Sequence, residues 1–147
     1  MNDPIRVLFV CTHNSARSQM AEALLRWLGG PRFEVHSAGT APSRVNPHAI
    51  AAMATLGLDI TAARSKHVDG FVGQSFDYVI TVCDDAQEQC PVFSGDTARI
   101  HWSFPDPSAV EGSADERQRA FDLVATDLIG RLRPWVEVAQ RVKAGAA

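Results

Sequence analysis

Ile5-Arg6-Val7-Leu8-Phe9-Val10 runs straight into Cys11-Thr12-His13-Asn14-Ser15-Ala16-Arg17-Ser18, and there the hydrophobic period changes. The first six residues are β-branched or apolar almost without interruption, the pattern of a strand buried on both faces of a parallel sheet. From Ser15 onward, Met20, Ala21, Leu24, Leu25 and Leu28 fall on one stripe of a helix, which Gly29-Gly30 and Pro31 then stop. Phe33 to His36 is a second, short strand that ends in Ser37-Ala38-Gly39. Strand, helix and strand make a βαβ unit, so the two strands are expected to be parallel with a right-handed crossover.

The same reading extends along the chain. Asn46 caps a second helix with Pro47 at its first position, turns Ile50, Met53 and Ala54 inward, and stops at Gly57. Residues 63–75 have no clear period, with room for a short helix near Val68 to Val72. Asp77 to Val82 is a third strand and Ala98 to Trp102 a shorter fourth. Ser113 and Glu116 form a capping box for the last helix. Its stripe of Phe121, Val124, Leu128, Leu132, Trp135 and Val136 is core, and Pro134 is expected to kink or split it. The predicted fold is α/β: a three-layer sandwich around a four-stranded parallel sheet, with residues 1–147 as a single domain.

Composition narrows the function. With 147 residues, 46% hydrophobic and 21% charged, the chain has the makeup of a soluble globular protein. A net charge of −3 without a basic run argues against nucleic acid as a partner. The apolar run Val7 to Val10 is too short for a signal peptide or a membrane span. A cytoplasmic protein without membrane association is expected, with a monomer as the default at this size. Three cysteines do not suit a disulfide framework. No Cys-x2-Cys knuckle is present, so no structural metal is expected.

In parallel sheets, ligands bind beyond the carboxyl ends of the strands, near a topological switch point. Cys11 follows the first strand, Cys83 the third and Asp106 the fourth, so all three fall on one edge of the sheet. The spacing Cys11-x5-Arg17-Ser18 has a mechanical reason. The N–H groups of Thr12, His13, Asn14, Ser15, Ala16 and Arg17 can curl around an oxyanion, with the positive end of a helix behind them. Arg17 adds a planar fork for two oxygens. The same field is expected to lower the pKa of Cys11, and Ser18 can donate to its thiolate. The loop has no glycine, so Asn14 is expected to take the left-handed conformation. The His13 side chain suits either the mouth of the site or open solvent.

Val7-Leu8-Phe9-Val10-Cys11-Thr12-His13-Asn14-Ser15-Ala16-Arg17-Ser18-Gln19-Met20-Ala21-Glu22 resembles the low-molecular-weight tyrosine phosphatase superfamily, and more closely the arsenate reductases built on that fold. The resemblance continues through Ser37-Ala38-Gly39, Val45-Asn46-Pro47, Thr81-Val82-Cys83-Asp84-Asp85-Ala86, Cys90-Pro91 and Pro105-Asp106-Pro107, and thins after Gly112. It implies that Cys11 attacks arsenate and that Asp106 protonates the departing oxygen. It further implies a Cys11–Cys83 disulfide, then a Cys83–Cys90 disulfide, reduced by thioredoxin with thioredoxin reductase and NADPH and with no bound cofactor. Relatives linked to glutaredoxin or mycothiol share the first loop, but the internal cysteine pair favours thioredoxin.

That relay makes a geometric demand. Two cysteines seven apart in an intact helix are separated by about 10 Å of rise, whereas a disulfide needs Cα atoms within about 7 Å. Asp84 to Gln89, polar and acidic, is therefore expected to unwind when the pair forms. The alternative is a low-molecular-weight protein tyrosine phosphatase, hydrolysing phosphotyrosine through a phosphocysteine. No tyrosine lies near Asp106, the single tyrosine being Tyr78 in a strand, which weakens that reading. A phosphocysteine carrier or redox-sensing module would leave Asp106 and the cysteine pair unexplained. Some such reductases hold potassium at positions matching Asn14, Glu22, Ser37 and an acidic side chain. Lys66 occupies the last position here, so no potassium activation is expected.

Overall fold

In the computed structural model, which describes residues 3–93 and 95–145, four parallel strands form one sheet in the order β2-β1-β3-β4. They are β1 (Ile5–Cys11), β2 (Phe33–Gly39), β3 (Tyr78–Thr81) and β4 (Ala98–His101). The helices are α1 (Arg17–Gly29), α2 (Pro47–Thr55), α3 (Asp84–Gln89) and α4 (Ala114–Gly145). β1 is central because it is apolar on both sides, and Val7, Leu8, Phe9 and Val10 have no exposed surface. It pairs with β2 from Ile5↔Phe33 to Cys11↔Gly39, and with β3 from Val7↔Tyr78 to Val10↔Thr81. The chain leaves β1 toward β2 on one side and reaches β3 on the other. The switch point thus lies at the end of β1, where Cys11 sits.

Two layers cover the sheet. On one face α1 and α4 pack against each other and against β1. Met20, Ala21, Leu24 and Leu25 of α1 are fully buried, as are Leu128 and Leu132 of α4. Trp135 stacks on Phe33, Tyr78 and Trp102. The other face is covered by a ring cluster in which Phe71 and Phe76 pack on His36, and Phe93 on Phe76. A short 3-10 turn at Val68–Phe71 supplies part of it, where a short helix was expected.

Several local expectations need correction. Ser15 and Ala16 belong to the loop, because the helical bonding of α1 starts only with Met20 N–H to Ala16 C=O, 2.8 Å. β2 runs on to Gly39, since Ser37, Ala38 and Gly39 keep the register with β1. In α2, Ala49 and Ala52 face inward with Met53, whereas Ala54 is exposed. Pro134 does not split α4, which is continuous over 32 residues. Pro134 and Gly130, whose carbonyl loses its partner, are both exposed, so water can satisfy that carbonyl while Leu132 and Val136 hold the inner side. The Asn46 cap and the Ser113–Glu116 capping box form as expected. No helix among the described residues is long and apolar enough to cross a membrane.

Candidate active site

The loop from Cys11 to Ala16 is shaped by what holds its carbonyls. Those of Cys11, Thr12, His13 and Ser15 accept the N–H groups of Thr40 (3.2 Å), Ala41 (2.8 Å), Ser43 (3.1 Å) and Asn46 (2.8 Å). The Asn14 carbonyl accepts Ser65 Oγ at 2.7 Å and Gln19 Nε2 at 3.2 Å. With its carbonyls drawn outward, the loop turns its N–H groups to the concave side, and the Asn14 N–H reaches Cys11 Sγ at 3.2 Å. Such a row of N–H groups is a nest for an anion. α1 opens directly behind it with no side chain capping its first turn, so the positive end of the helix faces the same space.

Gly39 makes the lacing possible. A Cβ there would lie 2.5 Å from the Thr12 carbonyl oxygen and 2.9 Å from the Asn14 nitrogen. Asn14 takes the expected left-handed conformation, φ 49°, and is the one non-glycine residue of positive φ among those described. Its side chain is saturated. Oδ1 accepts Lys66 N–H and Gln19 Nε2, both at 3.0 Å, and Nδ2 donates to Ser18 Oγ at 2.7 Å and Ser37 Oγ at 2.9 Å. Because the Ser18 oxygen accepts from Asn14, its proton is left for Cys11 Sγ, 2.8 Å away. Asn14 therefore fixes both the loop and the direction of the Ser18 hydroxyl.

The expected lowering of the Cys11 pKa is not met. Burial of the sulfur pushes the thiol up, and that outweighs the downward pull of the Ser18 hydroxyl and the Ser18 and Asn14 N–H groups; the neighbouring Cys83 adds to the rise. The Arg17 guanidinium is held across the site, donating to the Phe104 carbonyl at 3.0 Å and lying 3.9 Å from Asp106 Oδ2. Asp106 caps a short turn through Oδ1, which accepts the Ser108 N–H and hydroxyl at 3.0 and 2.7 Å. Its second oxygen is the one on the Arg17 side. His13 is exposed and its ring is bonded to the Ala41 carbonyl at 3.0 Å, outside the concave side.

Cys83 and Cys90 are the two caps of α3, both buried as free thiols. Cys83 Sγ is 3.3 Å from Thr12 Oγ1, which brings it to the rim of the loop. The segment between them is helical in this dithiol state, and Ala86 is its sole buried residue. Cys11, Arg17, Ser18, Cys83 and Asp106, expected from the sequence to share a site, are gathered at one end of the sheet. Sequence reasoning missed Gln19, Gly39 and Ser65 as supports of the loop.

The cation site implied by the resemblance does not fit this chain. Glu22 already accepts Ser37 Oγ at 2.7 Å and pairs with Arg26 at 2.6 Å, and Lys66 Nζ stands 3.7 Å from Glu22 Oε1. Lys66 thus sets a positive charge beside Glu22, at the position where the resemblance calls for an acidic ligand.

The family model of the low molecular weight phosphotyrosine protein phosphatases matches residues 6–144. The chain belongs to this family. Within it, an arsenate reductase of Bacillus subtilis (strain 168) is 35% identical over 134 residues, covering 91% of this chain and 96% of its own. A solved arsenate reductase in the phosphate binding state superposes with a TM-score of 0.73 at 30% identity, covering 90% of this chain and 97% of the other. A thioredoxin-dependent arsenate reductase of Corynebacterium glutamicum gives 0.71 at 27% identity, covering 97% of this chain and 65% of its own. These likenesses put the chain with the arsenate reductases of the phosphatase family, by sequence and by fold.

Proposed function

We propose that the protein reduces arsenate to arsenite through Cys11, Cys83 and Cys90 and is regenerated by thioredoxin, in the cytoplasm. The observation that carries this reading is the second thiol: Cys83 Sγ lies 3.3 Å from the Thr12 hydroxyl, at the rim of the Cys11 loop. A hydrolase needs one cysteine and an acid, and has no use for a thiol there.

In this reading, arsenate enters the nest of N–H groups from Thr12 to Arg17, and Arg17 turns its fork to two of the oxygens. Cys11, deprotonated, forms an S–As bond as one oxygen leaves as water, protonated by Asp106. Cys83 then attacks the Cys11 sulfur. An S–S bond forms, the S–As bond breaks, and its electron pair passes to arsenic, which leaves as arsenite. Cys90 attacks Cys83, the Cys11 thiolate departs, and α3 must give up its helical form for the pair to close. A dithiol donor reduces the Cys83–Cys90 disulfide and is itself oxidised. The same loop and acid are equipped to hydrolyse aryl phosphates, with water in place of the second thiol.

The test is arsenate-dependent oxidation of NADPH with thioredoxin and thioredoxin reductase, for wild type, Cys83→Ser and Cys90→Ser. Wild type is expected to turn over repeatedly, and both variants to stop after a single turnover at most. A wild type that hydrolyses aryl phosphates yet never consumes NADPH would establish the phosphatase reading instead.

A further inference from the structure

The six residues of α3 have little of their own to keep them helical. Such a length lies below what stands alone in water, and apart from Ala86 they bury nothing. The side-chain hydrogen bonds to the two ends of α3 come from one side of β4 and its extension. Arg99 Nη2 donates to the Cys90 carbonyl at 3.3 Å, at the end of the helix. His101 Nε2 is 2.9 Å from Asp84 Oδ1, at its start, and Ser103 Oγ donates to the same oxygen at 3.3 Å. Residues 99, 101 and 103 alternate along the chain, so an extended segment presents them on one side. The imidazole is fixed from behind: Thr81 Oγ1, on a residue 4% exposed, is 2.7 Å from His101 Nδ1. A carboxylate oxygen can only accept, so the proton of the bond to Asp84 is carried on Nε2.

We propose that Arg99, His101 and Ser103 are positioning residues that clamp α3 at both ends in the dithiol state, so that they set how readily Cys83 reaches Cys90. The proposal rests on the three-cysteine relay. It adds that the barrier and bias of the last internal step reside in polar bonds from β4. Two of these bonds meet Asp84, the residue next to Cys83, and the third meets Cys90 itself. Pairing the two sulfurs requires the ends of α3 to approach, and neither end can move far while both are tied to adjacent positions of a strand. Exchange with glutathione is balanced as two thiols plus oxidised glutathione giving one internal disulfide plus two reduced glutathiones.

The experiment uses the full chain in a Cys11→Ser background, where Cys83–Cys90 is the one disulfide open to it, with Asp84→Ala, Arg99→Met and the two combined. The equilibrium with glutathione is read at neutral pH, where burial keeps the Cys90 thiol protonated and loss of the Arg99 charge has little effect on it. Each single change is expected to shift the equilibrium about threefold toward the disulfide. The pair should shift it about tenfold, or about 30 mV for a two-electron couple. In the reduced protein, amide exchange at Gln87 to Cys90 should quicken while that of β1 and α1 stays as in the parent, which shows the fold is kept. An equilibrium within a factor of about 1.5 of the parent, or a shift toward the dithiol, overturns the proposal. If the parent never forms the disulfide, the relay fails and exchange alone decides: unchanged exchange at Gln87 to Cys90 overturns the clamp, and faster exchange sustains it.

Discussion

The two thiol-bearing segments of the site are built on opposite principles. The Cys11 loop has no regular structure, yet every carbonyl from Cys11 to Ala16 is held and Asn14 is wholly buried. α3 has regular structure but little packing: Ala86 alone of its residues is buried, and polar bonds hold its ends. Irregular backbone is rigid when the fold accounts for each of its polar groups, and a helix is labile when its packing face is one methyl wide. The difference suits the work of each. In the relay proposed here, one segment would meet a charged substrate without rearranging, and the other would come apart for the second disulfide to form.

The comparison breaks if the loop can yield. Gly39→Ala should be the severest test, because the added Cβ meets backbone atoms of Thr12 and Asn14 that have nowhere to go. Overpacking of about 1–3 kcal/mol, felt in full at the loop, corresponds to phosphate inhibition weakened about five- to 150-fold, measured against aryl phosphate hydrolysis. An unchanged inhibition constant would mean that the loop adapts as α3 does.

Alkaline titration sharpens the contrast between the buried thiols. Burial raises both Cys11 and Cys90 above the ordinary thiol value of 9.0. The unfolded chain therefore loses these protons first. Their contribution to stability is full below the unfolded value and is lost as pH rises through the folded one. Urea unfolding should show a stability that declines as the pH rises past 9, and less so in Cys11→Ala than in wild type. Reactivity has the other sign: alkylation of Cys11 should keep accelerating with pH beyond the point at which a free thiol levels off.

The smallest effect expected is none. Initial rates in potassium and sodium buffers of equal ionic strength should agree, since Lys66 and Arg26 already neutralise Glu22. Selective stimulation by potassium would show that this side of the loop gives way after all.

Strands, caps and the left-handed Asn14 were legible in the sequence because each is decided within a few residues: a β-branched run, an Asn-Pro step, a tight loop lacking glycine. The site emerged from topology, since three strand ends on one sheet edge gather Cys11, Cys83 and Asp106. What stayed hidden depends on separation. Ser65 and Lys66 reach Asn14 across 51 and 52 residues, and Arg99 reaches Cys90 from another strand. The direction of the Cys11 shift was hidden for the same reason: it is fixed by how much chain closes over the sulfur, and no loop motif carries that information. That Pro134 leaves α4 unbroken was hidden too, because the outcome hinges on which side of the helix faces water.

The outward-turned carbonyls of the loop also bear on discrimination. A cradle of backbone N–H groups gauges only the shape and charge of its guest, which phosphate and arsenate share. Under the proposed function, capture by such a loop would not by itself separate the two. In the relay proposed here, selection falls to the electron transfer instead: arsenic accepts an electron pair from a departing sulfur, while phosphorus in the same cradle does not and must diffuse out again. A cell rich in phosphate thus slows such an enzyme by occupancy without ever becoming its reductive substrate.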